Sequence, residues 1–123
     1  MANKNRTKGF NAERQYRNEF VELGYEYCVT SRYGSRQHDD CGIDLINLPF
    51  NVQIKAGYAR GLNYSKVLRN VKEMVSINFP DDAKEHSNPT FIIHKKDVGK
   101  GRKTTEFDEL VVMTKEDFLK LIT

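Results

Sequence analysis

Asp44, Gln53 and Lys55 stand out because they interrupt two otherwise apolar runs within "GIDLINLPFNVQIKAG", Gly42 to Gly57. Leu48-Pro49-Phe50-Asn51 reads as a turn between the runs, so the segment predicts a hairpin. Side chains alternate across a strand, which places Gln53 and Lys55 on one face and Val52 and Ile54 on the other. On the preceding strand Ile43 and Leu45 alternate with Asp44 and Ile46. Burying the two apolar sets together fixes the pairing, because a one-residue slip would expose one of them. A turn centred on Pro49-Phe50 then sets Asp44 across from Lys55 and Ile46 across from Gln53. A carboxylate, an amide and an ammonium group thus converge on one face. The plainer account is a cross-strand ion pair on the wet side of an antiparallel sheet.

A second acid adds weight to a site. Asn11 to about Gly24 reads as a helix that stops at a glycine. Phe10, Tyr16, Phe20, Val21 and Leu23 form its apolar stripe, and Glu13 falls near the middle of that stripe. A carboxylate aimed into a core is costly unless paired. A divalent cation held jointly with Asp44 would pair it, and so would Lys55 or Arg17.

The chemistry these groups suit is metal-assisted hydrolysis. Mg2+ takes hard oxygen ligands in near-octahedral geometry and keeps several waters. Asp44 offers carboxylate oxygens, Gln53 an amide oxygen, Ile54 a backbone carbonyl, and Glu13 a further oxygen directly or through water. Lys55 beside the ion would position or deprotonate an attacking water, or stabilise charge on a phosphate. The metal would acidify that water and polarise a phosphoryl oxygen. These are the parts of a phosphodiester hydrolase.

Here the residues resemble the PD-(D/E)XK nucleases, whose strand pair carries an Asp and then an acid-x-Lys. Asp44 matches the first acid, Gln53 stands at the second and Lys55 matches the lysine. The closer resemblance is to archaeal-type Holliday junction resolvases and related phage enzymes. "GFNAERQYRNEFVELGYE", "SRYGSR", "GIDL" and "VQIKAG" follow their order of helix glutamate, serine loop and two strands, over about the first half of the chain. The resemblance implies a restriction-endonuclease-like fold and a Mg2+- or Mn2+-dependent endonuclease of branched DNA. Glu13, Asp44, Gln53 and Lys55 would form its site, and a loop serine, Ser35 in preference to Ser31, would lie near the scissile phosphate. It also implies a homodimer, since two strands must be cut symmetrically. The departure is Gln53, where many members carry Glu or Asp.

The remaining elements predict an α/β domain of order α-β-β-β-α-β-β-α, a mixed sheet flanked by helices. "YEYCVT" reads as the first strand, and "SRYGSRQHDDC" as a polar loop. "LNYSKVLRNVKEMVSI" has helical spacing, and "NFPDDAKEHSNP" is a loop. "TFIIH" and "ELVVM" are short strands, and "TKEDFLKLI" is a closing helix that Thr114 would cap.

All 123 residues fit a single domain, 1–123, with residues 1–8 expected to be a flexible basic N-terminus. Charged residues make up 30% of the chain and the mean hydropathy is −0.68, as in a soluble globular protein, and no apolar run approaches the ~20 residues that a membrane-spanning helix needs. Cys28 and Cys41 alone make no disulfide framework, and with no apolar stretch behind the N-terminal charges a cytoplasmic setting is expected, the host cytoplasm for a phage enzyme. The net charge of +3 is mild, but Lys4, Arg6 and Lys8 at the start and Lys100, Arg102 and Lys103 near the end cluster in basic blocks suited to DNA phosphates. Arg32 and Arg36, nearer the site, are stronger candidates for holding phosphates. The cysteines and histidines lack zinc spacing, and "GKGRK" lacks the Walker spacing. Three rivals share this sequence: a duplex endonuclease on the same fold, a DNA-binding protein weakened by Gln53, and a protein-interaction domain.

Overall fold

In the computed structural model, residues 4–57, 61–97 and 107–123 are described. The first helix, α1, runs Lys4–Glu22, seven residues further toward the N-terminus than the stripe predicted. Lys4, Arg6 and Lys8 therefore fall in its first turns. Its end is set by Gly24 at φ +115, with Gly24 N–H bonded to the Val21 carbonyl and Tyr25 N–H to that of Phe20. This is a Schellman stop, and the Phe20 and Tyr25 rings pack edge to face over it at 6.1 Å. The stop uses up Tyr25, so the first strand is not the predicted six residues. β1 is only Val29–Thr30.

The segment expected to be a loop folds into two single turns, α2 (Ser31–Gly34) and α3 (Arg36–Asp40). β2 is Leu45–Ile46 and β3 is Asn51–Gly57. Asn47, at φ +66, starts the turn between them, a left-handed position that asparagine tolerates. α4 (Tyr64–Asn78) then crosses to β4 (Thr90–Asp97), with a short α5 (Ala83–Ser87) in the predicted loop. β5 (Phe107–Met113) and α6 (Lys115–Ile122) close the chain.

Among the described residues, five strands form one mixed sheet in chain order, β3 parallel to β4 and every other neighbour antiparallel. A parallel pair needs a crossover, and α4 supplies it. The sheet carries a core on each face. Against α1, Ala12, Tyr16, Cys28, Leu45, Val52, Ile54, Phe91 and Ile93 close together. Against α4, Cys41, Ile43, Val71 and Val75 do so. Tyr16 also ties α1 to β5, its hydroxyl donating to a Glu109 oxygen at 2.7 Å.

Two predicted placements differ. Leu23 is 74% exposed, because the helix ends before its turn can reach the core. Ile43 packs with Val71 and Val75 rather than beside Leu45, since the chain is still turning at Gly42 (φ +82) before β2 begins. A Cβ on Gly42 would stand 3.1 Å from Gln53 Nε2, so backbone and packing both favour glycine there.

At the far end of the sheet, Thr114 caps α6 by accepting from the Asp117 N–H at 3.1 Å, as predicted. Asp117 itself turns into the body. Its carboxylate accepts from Thr90 N–H at 3.1 Å and pairs with Lys72 at 2.9 Å and Lys120 at 3.5 Å. Burial alone would raise this carboxyl, but the Lys72 ammonium, the Thr90 N–H and Lys120 outweigh it and hold it below the usual range. Lys72, on α4, is one half of this anchor. Among the described residues no helix is long and apolar enough to cross a membrane.

Candidate active site

The β2–β3 register is Leu45 opposite Val52. Continued, it sets Asp44 opposite Gln53, two residues from the predicted pairing. The faces are unchanged, because a two-residue shift preserves alternation. Hydrogen bonding between the strands ends where Asp44 N–H meets the Val52 carbonyl at 2.8 Å. Beyond it, the Ile54 N–H has no strand partner on that edge, and the Asp44 carboxylate takes the role at 2.6 Å. The N–H and C=O of one strand residue point to the same edge, so the Ile54 carbonyl is directed to the side where this carboxylate lies.

Asp44 pays electrostatically for this position. Burial is the largest cause driving its carboxyl up, to about 7, and the Glu13 charge adds to it. The Ile54 N–H, Lys55 and Arg32 pull the other way and are outweighed. Asp44 thus lies within electrostatic reach of Glu13, Lys55 and Arg32. Lys55 is partly buried on β3 and makes no hydrogen bond or salt bridge among the described residues. Gln53 Oε1 is buried without a hydrogen-bond partner among the described residues.

Glu13 is 5% exposed, as its place in the apolar stripe predicted. Its partner is neither Lys55 nor Arg17 but Arg32, which grips both oxygens, Nε to Oε2 at 2.9 Å and Nη2 to Oε1 at 3.2 Å. That hydrogen bonding raises the Arg32 guanidinium above its ordinary value. The guanidinium also lies 4.0 Å above the Phe10 ring. Arg17, one helical turn from Glu13, instead donates to the Cys28 carbonyl and to Asn18. Sequence reasoning missed the Glu13–Arg32 pair because it is set by the turn α2, which was read as loop.

The two serines separate clearly. Ser31 is fully buried beside the site, its N–H on the Asp44 carbonyl at 2.9 Å and its hydroxyl on Asp39 at 3.3 Å. Ser35 caps α3, accepting from the His38 N–H at 3.3 Å, with His38 Nδ1 2.8 Å away. Arg36 is exposed on α3. Lys100, Arg102 and Lys103 lie outside the described residues.

A cation suits part of this arrangement. The orphaned Gln53 oxygen and the desolvated Asp44 carboxyl are hard donors short of a positive partner, and the Ile54 carbonyl can join them. Arg32 already donates one hydrogen bond to each Glu13 oxygen, so Glu13 would join only through its remaining lone pairs or through water. Among the described residues no three His, Cys, Asp or Glu side chains are grouped to hold a metal ion. Compared with known proteins, the chain matches no family model, no curated protein and no solved structure.

Proposed function

We propose that this chain is a restriction-endonuclease-like nuclease that hydrolyses DNA phosphodiesters with Mg2+ or Mn2+, most readily at four-way junctions. The observation that carries the reading is the Asp44 carboxyl, desolvated at the open end of β2–β3 beside the unsatisfied Gln53 oxygen. Asp44, Gln53 and the Ile54 carbonyl would hold the cation. A divalent cation there supplies Lewis-acid polarisation of a phosphoryl oxygen and lowers the pKa of water. Lys55, untethered on the same strand face as Gln53, positions or deprotonates the attacking water, or neutralises charge on the phosphate. Glu13 acts through Arg32, which it fixes at the mouth of the site, where the guanidinium faces an incoming phosphate.

The preference for junctions rests on the resemblance of the first half of the chain to the resolvases. Incubating a labelled four-way junction and the matching duplex with Mg2+, Mn2+ or EDTA tests it. Paired symmetric cuts in the junction alone, lost in EDTA, are expected. Cutting of both substrates alike would discard the junction preference, and junction binding without cutting under any cation would make this a binding protein.

The resemblance also carries the homodimer, and α6 supports it. Its apolar residues Phe118, Leu119, Leu121 and Ile122 are exposed, while Asp117 on its polar side is the residue turned inward. An amphipathic helix with its apolar face to solvent suits a self-complementary contact about a two-fold axis. Sedimentation equilibrium should give a dimer for the wild type and a monomer for Ile122→Glu; a monomeric wild type would end the dimer reading.

A further inference from the structure

Beside Glu13 opens a cleft of about 600 Å3 lined by Phe10, Arg14, Arg17, Arg32 and Tyr33, among others. That is within the range of ligand sites, about 300–1,000 Å3. Three guanidinium groups meet two carboxylates there, Glu13 and Asp39. Glu13 is neutralised by Arg32, and Asp39 accepts from the Ser31 hydroxyl. Arg14 is exposed and makes no ion pair among the described residues. The cleft is therefore open to an anion.

Tyr33 is the unusual member of this cleft. It is 93% exposed, and no hydrogen bond or ring contact holds it among the described residues. A lone exposed tyrosine is ordinary, but this one sits on a firmly held turn. Two residues before it, Ser31 is buried and bonded to Asp44; one residue before it, Arg32 is clamped on Glu13. Its backbone is thus held at a fixed offset from the Asp44 site, while its ring, exposed to solvent, is free to turn onto a ligand.

We infer that this cleft binds an unpaired nucleic-acid strand, with Tyr33 stacking on an unstacked base while Arg14 and Arg17 contact the flanking phosphates. The inference deepens the nuclease reading, on which it rests for the presence of DNA at the site. Bases inside an intact duplex are stacked on both sides and offer the ring no face. A branch point or a single strand does, and stacking on an aromatic ring is indifferent to sequence. Recognition of branched rather than continuous DNA would then come from an aromatic residue next to the site.

The test is binding in EDTA, where nothing is cut. The probes are a four-way junction carrying 2-aminopurine at the branch, a single strand and a blunt duplex. The wild type should quench the 2-aminopurine. Tyr33→Ala should weaken junction and single-strand binding roughly tenfold, abolish the quench and leave duplex binding within about twofold, while Tyr33→Phe keeps both signals. Unchanged junction affinity and quench in Tyr33→Ala, or an equal loss on all three DNAs, would overturn the inference. Mg2+-dependent cleavage by the wild type, assayed separately, distinguishes the two claims. Cleavage with no Tyr33 effect removes the stacking and leaves the nuclease; a Tyr33-dependent quench with no cleavage does the reverse. Absence of binding to any DNA overturns both.

Discussion

Asp44→Asn should abolish cleavage and, at the same time, stabilise the metal-free protein above neutral pH. The two effects have one cause. The carboxyl sits at about 7 in the fold because burial disfavours its charged form, whereas an unfolded chain leaves it near 3.8. A group whose folded value is raised contributes stability that is complete below its unfolded value and is lost as pH rises through the folded one. Between about pH 4 and 7 this residue therefore erodes the stability of the cation-free fold, and at pH 8 the loss is complete. Asparagine keeps an oxygen for the Ile54 N–H and carries no charge. We expect it to raise the unfolding free energy measured in urea at pH 8 by about 1–3 kcal/mol, and to make no such difference at pH 4. Mn2+ should raise the wild-type melting temperature more at pH 8 than at pH 5.5, since proton and cation compete for one carboxylate, and should not stabilise Asp44→Asn. Cleavage should fall by about 10³-fold or more. An Asp44→Asn protein less stable than wild type at pH 8, and equally responsive to Mn2+, would contradict the assignment.

The second large effect is expected at Arg32. Removing it leaves Glu13, 5% exposed, with no partner for either oxygen. Breaking a fully buried pair costs about 3–5 kcal/mol; with the arginine side 39% exposed, about 2–3 kcal/mol is the discounted figure for Arg32→Ala. Pairing it with Glu13→Gln removes the stranded charge, so the double variant should recover more than half of the loss, measured by urea unfolding in a double-mutant cycle. Additive losses would mean that the two side chains do not depend on each other. Mn2+ supplies a further reading. If the freed Glu13 takes a place beside the cation, Mn2+ restores stability to Arg32→Ala more strongly than to the wild type.

These expectations draw on features that the sequence displays unevenly. The burial of Glu13 followed from its place among Phe10, Tyr16 and Phe20 at helical spacing, because helical periodicity reports a face whatever lies opposite it. The identity of its partner did not follow. Arg17, one turn away, satisfied every local criterion, while Arg32 became available only because Ser31–Gly34 coils into a turn too short for any periodicity to mark. The hairpin shows the same division. Alternation placed Gln53 and Lys55 on one face and Val52 and Ile54 on the other, yet the register lay two residues from that expected. A shift of two leaves every side chain on its own face, so a pattern of period two cannot detect it. In α6 the spacing and the Thr114 cap were plain, but not which side the body would hold. That was decided by Asp117, whose two lysines and backbone donor lie on distant segments.

The most direct test of the central claim is single-turnover cleavage of a labelled four-way junction in Mn2+ by the wild type and by Lys55→Ala, with Mn2+ binding measured on both proteins. Lys55 makes no hydrogen bond or salt bridge among the described residues and is not one of the cation's proposed ligands, so its removal should leave Mn2+ and junction binding within a few-fold. Cleavage should fall by at least about 10³-fold. Cleavage by Lys55→Ala at the wild-type rate, or a wild type that binds Mn2+ and the junction and never cuts, would contradict the account.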